Sequence, residues 1–178
     1  MTIYIALLRG INVSGHNKIK MTDLKNICEN MGLTHVKTYI QSGNVLFKSG
    51  DEPKVLRQRI EEGIQSAFGI SITVVIRTAD EVERIIADCP YAGVPLEKGH
   101  SIHVSCLTEA PPQKVVDLLA NSERNRDEYH IHGCEIYFLF RQSISDSKLA
   151  KNLQKLGNTA TTRNWNTMNK LDELAKAL

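Results

Sequence analysis

Residues 36–48 read VKTYIQSGNVLFK. Two runs rich in β-branched and aromatic residues, 36–41 and 44–48, flank Ser42-Gly43. The pattern predicts two antiparallel strands joined by a tight turn. Upstream, Leu24, Ile27, Cys28 and Met31 recur at the spacing of one helix face, with Thr22 as the expected N-cap and Gly32 as the stop. Before them, residues 3–9 (IYIALLR) form an apolar run of strand length. Downstream, Pro53 opens a helix where its missing N–H does no harm, with Leu56, Ile60, Ile64, Ala67 and Phe68 as its apolar positions. Residues 70–77 (ISITVVIR) close the set as a fourth strand. The order is β-α-β-β-α-β.

The same order repeats. Thr78-Ala79-Asp80-Glu81 is a capping box that starts a helix with Val82, Ile85, Ile86 and Cys89 inside, and Pro90 ends it. Residues 90–99 hold two prolines and two glycines and read as a linker. Then follow a strand at 101–107, a helix at 112–121, a hairpin of 128–132 and 135–141 around Gly133, and a helix marked by Leu149, Leu153 and Leu156. A short strand at 159–163 leads to a last helix burying Met168, Leu171, Leu174 or Ala175, and Leu178. A turn glycine (Gly43, Gly133) and a closing arginine (Arg77, Arg163) recur about 90 residues apart, which suits a duplicated unit rather than a short solenoid repeat. The expected organisation is a first half at 1–78, a helix and linker at 79–99, and a second half with a C-terminal helix at 100–178.

A βαββαβ unit forms a ferredoxin-like α+β sheet with both helices on one face. In this chain the strands are apolar on both faces: Ile3, Ile5 and Leu7 oppose Tyr4, Ala6 and Leu8, while Ile136, Phe138 and Phe140 oppose Tyr137 and Leu139. An open second face would be a large apolar patch, so it is expected to be covered, most simply by the other half. The topology also places chemistry. The crossover helix makes the first two strands parallel, with the third antiparallel between them. The loop after Arg9 therefore lies at the same sheet edge as Gln41-Ser42-Gly43-Asn44.

That loop, Arg9–Lys20, carries Arg9, His16, Lys18 and Lys20 and no acidic residue. Gly10 and Gly15 allow close backbone approach, Asn12, Asn17 and Asn44 add neutral donors, and the loop runs into a helix N-terminus, which favours anions. This set suits a phosphate or carboxylate, although neither a Walker loop nor GxGxxG is present. A second constellation, Arg163-Asn164-Trp165-Asn166-Thr167, reads first as a cap and hydrophobic staple for the last helix. In a functional reading Arg163 clamps an acidic group in bidentate fashion. His130, His132 and Cys134 alternate, but the Gly133 turn breaks their geometry and no metal site is expected. Ser42 lacks the GxSxG elbow of a nucleophilic serine.

The 178 residues are 42% hydrophobic and 24% charged, ordinary globular values, and no stretch has a disordered composition. The net charge of +2 lacks the basic excess of a dedicated nucleic-acid binder. The first apolar run is closed by Arg9 and is too short for a signal peptide or a membrane span. Four cysteines without a CxxC pair suit free thiols in a reducing cytoplasm.

Four ordered motifs carry a resemblance: LLRGINV at 7–13, NKIKM at 17–21, YIQSGNV at 39–45, and the TxRNWNT ending at Thr167. Together they resemble the bacterial family called domain of unknown function 1697. The resemblance implies a cytoplasmic protein of two ferredoxin-like subdomains, with no established activity, cofactor or substrate. Ser14 and His16 stand where the family often has Gly and Lys, which softens the loop's charge. Because the motifs coincide with the loop, the turn and the tail, the expected ligand-binding set is Arg9, Asn12, Lys18, Ser42, Asn44 and Arg163. Arg163 meets the first-half loop only if the halves dock suitably. The leading expectation is binding of, or chemistry on, an anionic small molecule, phosphorylated ligands included. A nucleic-acid module is the alternative; it needs Tyr4, Phe47 and Tyr137 exposed as a stacking face. A protein-interaction domain without a ligand is the third reading.

Overall fold

The computed structural model describes residues 1–157 and 159–178. The chain runs β1 (Thr2–Leu8), α1 (Met21–Asn30), β2 (Thr34–Tyr39), β3 (Asn44–Ser49), α2 (Pro53–Phe68), β4 (Val74–Thr78) and α3 (Ala79–Ala87). It continues through β5 (Ser101–Leu107), α4 (Gln113–Ala120), β6 (Glu128–His132), β7 (Glu135–Phe140), α5 (Lys148–Leu153) with a 3-10 turn at Gln154–Leu156, β8 (Ala160–Asn164) and α6 (Trp165–Lys176). Each half forms one antiparallel four-stranded sheet, in the orders β2-β3-β1-β4 and β6-β7-β5-β8. The architecture is α+β, with two ferredoxin-like repeats. One compact unit comprises Met1–Arg84 and Asn169–Leu178, and the other Ile85–Met168. The C-terminal part of α6, expected with the second half, thus groups with the first, where Lys176 lies 3.3 Å from Glu83.

In the first unit Tyr4, Ala6 and Leu8 of β1, Val45 and Phe47 of β3, and Val74 and Ile76 of β4 face α1 and α2, which contribute Leu24, Cys28, Leu56, Ile60 and Ile64. Burying each large side chain stabilises by about 1.5–3 kcal/mol. Tyr4 and Phe47 stack at 5.8 Å between ring centroids. The opposite face is buried as well, including Ile5, Leu7, Leu46 and Val75. In the second unit Leu107, Ile136, Phe138, Phe140 and Ala160 meet Val115, Leu119, Leu149 and Leu156. Tyr4, Phe47 and Tyr137 are all buried, so these three do not form the stacking face that the nucleic-acid reading requires of them.

Several local expectations shift for identifiable reasons. The first strand of the hairpin ends at Tyr39 because Ile40 turns to φ 48°, a left-handed conformation unusual for a β-branched residue. The strand expected at 70–77 begins only at Val74; Ile70 and Ile72 instead pack partly against the core. Thr22 is not the N-cap of α1. Lys20 holds that position in an extended conformation without a side-chain hydrogen bond, and the helix starts at Met21. The anchor lies one residue earlier, where Ile19 N donates to Asn12 Oδ1 at 2.8 Å. The capping box at the start of α3 forms as expected, with Thr78 N donating to Glu81 Oε2 at 2.7 Å and Glu81 N to Thr78 Oγ1 at 3.1 Å.

The ladders also correct the alignment of the halves. Leu8 N donates to Gly43 O at 2.9 Å, and Leu107 N donates to Cys134 O at 2.8 Å. The residue in the second half with the role of Gly43 is therefore Cys134, not Gly133. The closing arginines do correspond: Arg77 pairs with Ile5 and Arg163 with Val104, and each guanidinium donates to the carbonyl of the residue before it.

Candidate functional site at the first sheet edge

The loop after β1 folds on itself. Asn12 N donates to Asn17 O at 3.0 Å and His16 N to Val13 O at 2.8 Å, closing a small hairpin whose tip is Ser14-Gly15. Both tip residues have positive φ, 49° and 77°, as a mirror-image hairpin turn demands. Asn12 and Asn17 are left-handed too, and each uses its side-chain amide on backbone carbonyls. Asn17 Nδ2 donates to Gly10 O at 3.0 Å, while Asn12 Nδ2 donates to Ile19 O at 3.0 Å and to Gln41 O at 2.8 Å. Asn12 thereby ties the loop to the β2–β3 turn, as the topology predicted for these two segments.

The turn itself is held from within. Asn44 is fully buried, and its Nδ2 donates to Tyr39 O at 2.9 Å and to Ser42 Oγ at 3.1 Å. Gly43 has φ 88°, and a Cβ there would sit 2.5 Å from Ile11 Cδ1 and 3.0 Å from Leu8 Cβ. Glycine is needed at this point both for the backbone conformation and for the close seating of Ile11, which is 1% exposed.

These elements frame a cleft of about 860 Å³. Its walls come from the loop (Asn12, Lys18), the turn (Gln41), the start of α1 (Met21, Asp23) and the end of α2 (Phe68). Lys18 and Lys20, which also lines the cleft, are exposed, and neither has an ion-pair partner among the described residues. The α1 N-terminus lacks a side-chain cap. Unsatisfied amides, the positive end of the helix dipole and two lysines meet there, with Asp23 as the opposing charge.

The six expected residues divide. Asn12 and Lys18 line the cleft. Ser42 and Asn44 build the adjoining turn, and the burial of Asn44 keeps it from touching a ligand. Arg9 is half-buried and its backbone N donates to Thr73 O at 3.1 Å; it does not line this cleft. Arg163 lies in the other unit, 8% exposed, donating to Thr162 O at 3.1 Å, with its pKa lowered by burial to about 10. Lys20, Gln41, Met21, Asp23 and Phe68 are lining residues outside the expected set. The topology could have supplied Phe68: α2 returns from the far end of β3 to the start of β4, so its C-terminus must reach the edge where β1 ends.

His130 and His132 share one face of β6 with rings 6.3 Å apart, and no group of three metal-ligating side chains occurs among the described residues. The described cysteines are free thiols; Cys28 is buried and its pKa is pushed up to about 12, mainly by desolvation. No described helix is long and apolar enough to cross a membrane.

The fold is shared along nearly the whole chain with the conserved bacterial protein SP0830 from Streptococcus pneumoniae, at 25% identity, a TM-score of 0.83 and 98% coverage of each chain. No curated protein matches the sequence. The match to the family model spans residues 1–137, which includes the loop, the turn and the cleft but not Arg163 or Trp165. The chain belongs to the family described as protein of unknown function DUF1697.

Proposed function

We propose that the first sheet edge binds a small anionic ligand, with a phosphate or carboxylate group near Lys18, Lys20 and the open N-terminus of α1. The observation that carries this reading is the coincidence of two exposed lysines, without ion-pair partners among the described residues, with an uncapped helix start in one cleft. Lys18 supplies charge, and Asn12, Ser42 and Asn44 act as positioning residues that hold the loop against the turn. Free thiols and the unexceptional composition suit a reducing cytoplasm.

A thermal-shift screen at low salt tests the reading, with nucleotides, sugar phosphates, pyridoxal phosphate, polycarboxylates and short RNA as probes. A ligand at about a hundred times its Kd should stabilise by about 2.7 kcal/mol. A hit lost in Lys18→Ala, with the unligated stability unchanged, supports the site. A hit that survives Lys18→Ala places the ligand elsewhere. Arg9→Ala and Arg163→Ala in the same screen decide whether those guanidiniums contribute charge.

A further inference from the structure

The cleft is larger than an anion alone would need. A water molecule occupies about 30 Å³ of liquid, and sites for drug-sized molecules begin near 300 Å³. This cleft has about 860 Å³, and its lining falls into two chemistries. Lys18, Lys20, Asn12 and Gln41 are polar or cationic. Ile19, Met21 and Phe68 are apolar, and the last two are half-buried, packed against the core while still lining the cleft. Phe68 closes α2 where Gly69 turns left-handed at φ 68°, so the ring sits on a defined helix end rather than on a free loop. A bare oxyanion at the lysines would leave that apolar wall without a partner. Asp23 is the one carboxylate among the lining residues and disfavours a ligand with several separate anionic groups.

From this lining we infer that the ligand is amphipathic: a single compact anionic group carried on a flat, largely apolar ring, as in an aryl phosphate monoester or an aromatic carboxylate. The ring packs on Phe68 and Met21, and the anionic group reaches Lys18 and Lys20. This rests on the anion reading above and narrows it.

The test is a protein-observed NMR titration of the full chain with three probes: phenyl phosphate, inorganic phosphate and benzyl alcohol. Phenyl phosphate should bind about tenfold or more tightly than inorganic phosphate, because the ring adds buried apolar surface and an aromatic contact. Phe68→Ala should bring the two phosphates to within about threefold of each other and leave inorganic phosphate unchanged. Phe68→Leu, which keeps apolar bulk at the end of α2, should fold normally and still lose part of the preference. Lys18→Ala should weaken both phosphates and leave benzyl alcohol unaffected. Equal affinity of the wild type for both phosphates overturns the amphipathic assignment and leaves the anion reading standing. A full preference retained in Phe68→Leu and Phe68→Ala also overturns it. No binding of either phosphate at about 10 mM, a level that reveals even millimolar affinity, overturns both.

Discussion

The two halves share a ladder and differ at one edge. Strand order, antiparallel pairing and the hydrogen bonds closing β1 and β5 correspond one to one. Yet the first half joins β1 to α1 through Arg9–Lys20, whereas the second joins β5 to α4 through the short Thr108–Pro112. The β2–β3 turn is Ile40–Gly43, and the β6–β7 turn only Gly133-Cys134. The second half shows that a sheet of this kind closes without the longer segments. In the first half those segments hold four non-glycine residues with positive φ, Asn12, Ser14, Asn17 and Ile40, and His35 in the neighbouring edge strand is a fifth. Strain of this type costs on the order of 1–3 kcal/mol per residue and is characteristic of binding sites. The difference also reverses elsewhere. The second half places Ser105 and Thr162, 2.7 Å apart, where the first has Ala6 and Ile76. Its α5 has 6 residues against 16 in α2. The second half is thus plainer at its edge and more polar on its sheet.

The largest difference between the halves is expected at Gly43 and Cys134. Gly43→Ala must place a Cβ against Ile11 on a left-handed backbone and should destabilise by about 2–4 kcal/mol in chemical denaturation. Cys134→Ala, at the matching place in the second ladder, should change stability by less than about 1 kcal/mol. Equal effects would mean that the first edge is not the more constrained one. Asn12→Ala comes next, with an expected loss of about 1–3 kcal/mol. It removes the donors to Ile19 and Gln41 and the acceptor for Ile19 N, so hydrogen exchange should speed up across residues 10–19 and remain slow in β5.

A smaller effect distinguishes the second half by pH. Burial lowers the pKa of His103, which contacts Ser101 Oγ at 3.2 Å and lies 5.3 Å from the Phe140 ring centroid. The folded state therefore binds fewer protons than the unfolded state. This contribution is present above the ordinary histidine pKa of about 6.5 and is lost as pH falls through it toward the lower folded value. Melting curves between pH 8 and 5 should show a slope that His103→Gln reduces. The smallest effect expected is in binding. Asp23→Asn removes the opposing carboxylate and should tighten inorganic phosphate by roughly twofold to fivefold in an NMR titration.

The fold was legible because its signals are local and agree with one another. Pro53, the capping box at Thr78 and the apolar spacing of Leu56, Ile60 and Ile64 each point to the element that forms. The adjacency of loop and turn at the candidate site was legible, but the side-chain contacts there were not. Chain order alone brings the Arg9 loop to the Ser42 turn. Side-chain roles do not follow from chain order, because an asparagine in a left-handed loop satisfies neighbouring carbonyls before it meets a ligand, as Asn12 and Asn17 do. Ile40 reads as strand because its branched side chain favours one, but the pairing of Tyr39 with Asn44 leaves it in the turn. The apolar wall is not legible in the sequence because Phe68 reads as core by its helical spacing, and its half-exposure depends on where α2 stops.

If the first edge binds an anion and the second does not, α4 supplies an internal control. Like α1, it begins without a side-chain cap, after Pro112. Its start, however, has no counterpart of the Arg9–Lys20 loop. The most direct measurement is an amide NMR titration of the wild-type chain with inorganic phosphate at low salt. The account predicts shifts at Lys18, Met21, Thr22 and Asp23 that weaken as salt is raised, with Gln113, Lys114 and Val115 unmoved. Shifts of similar size at both helix starts, or none at α1, would contradict it.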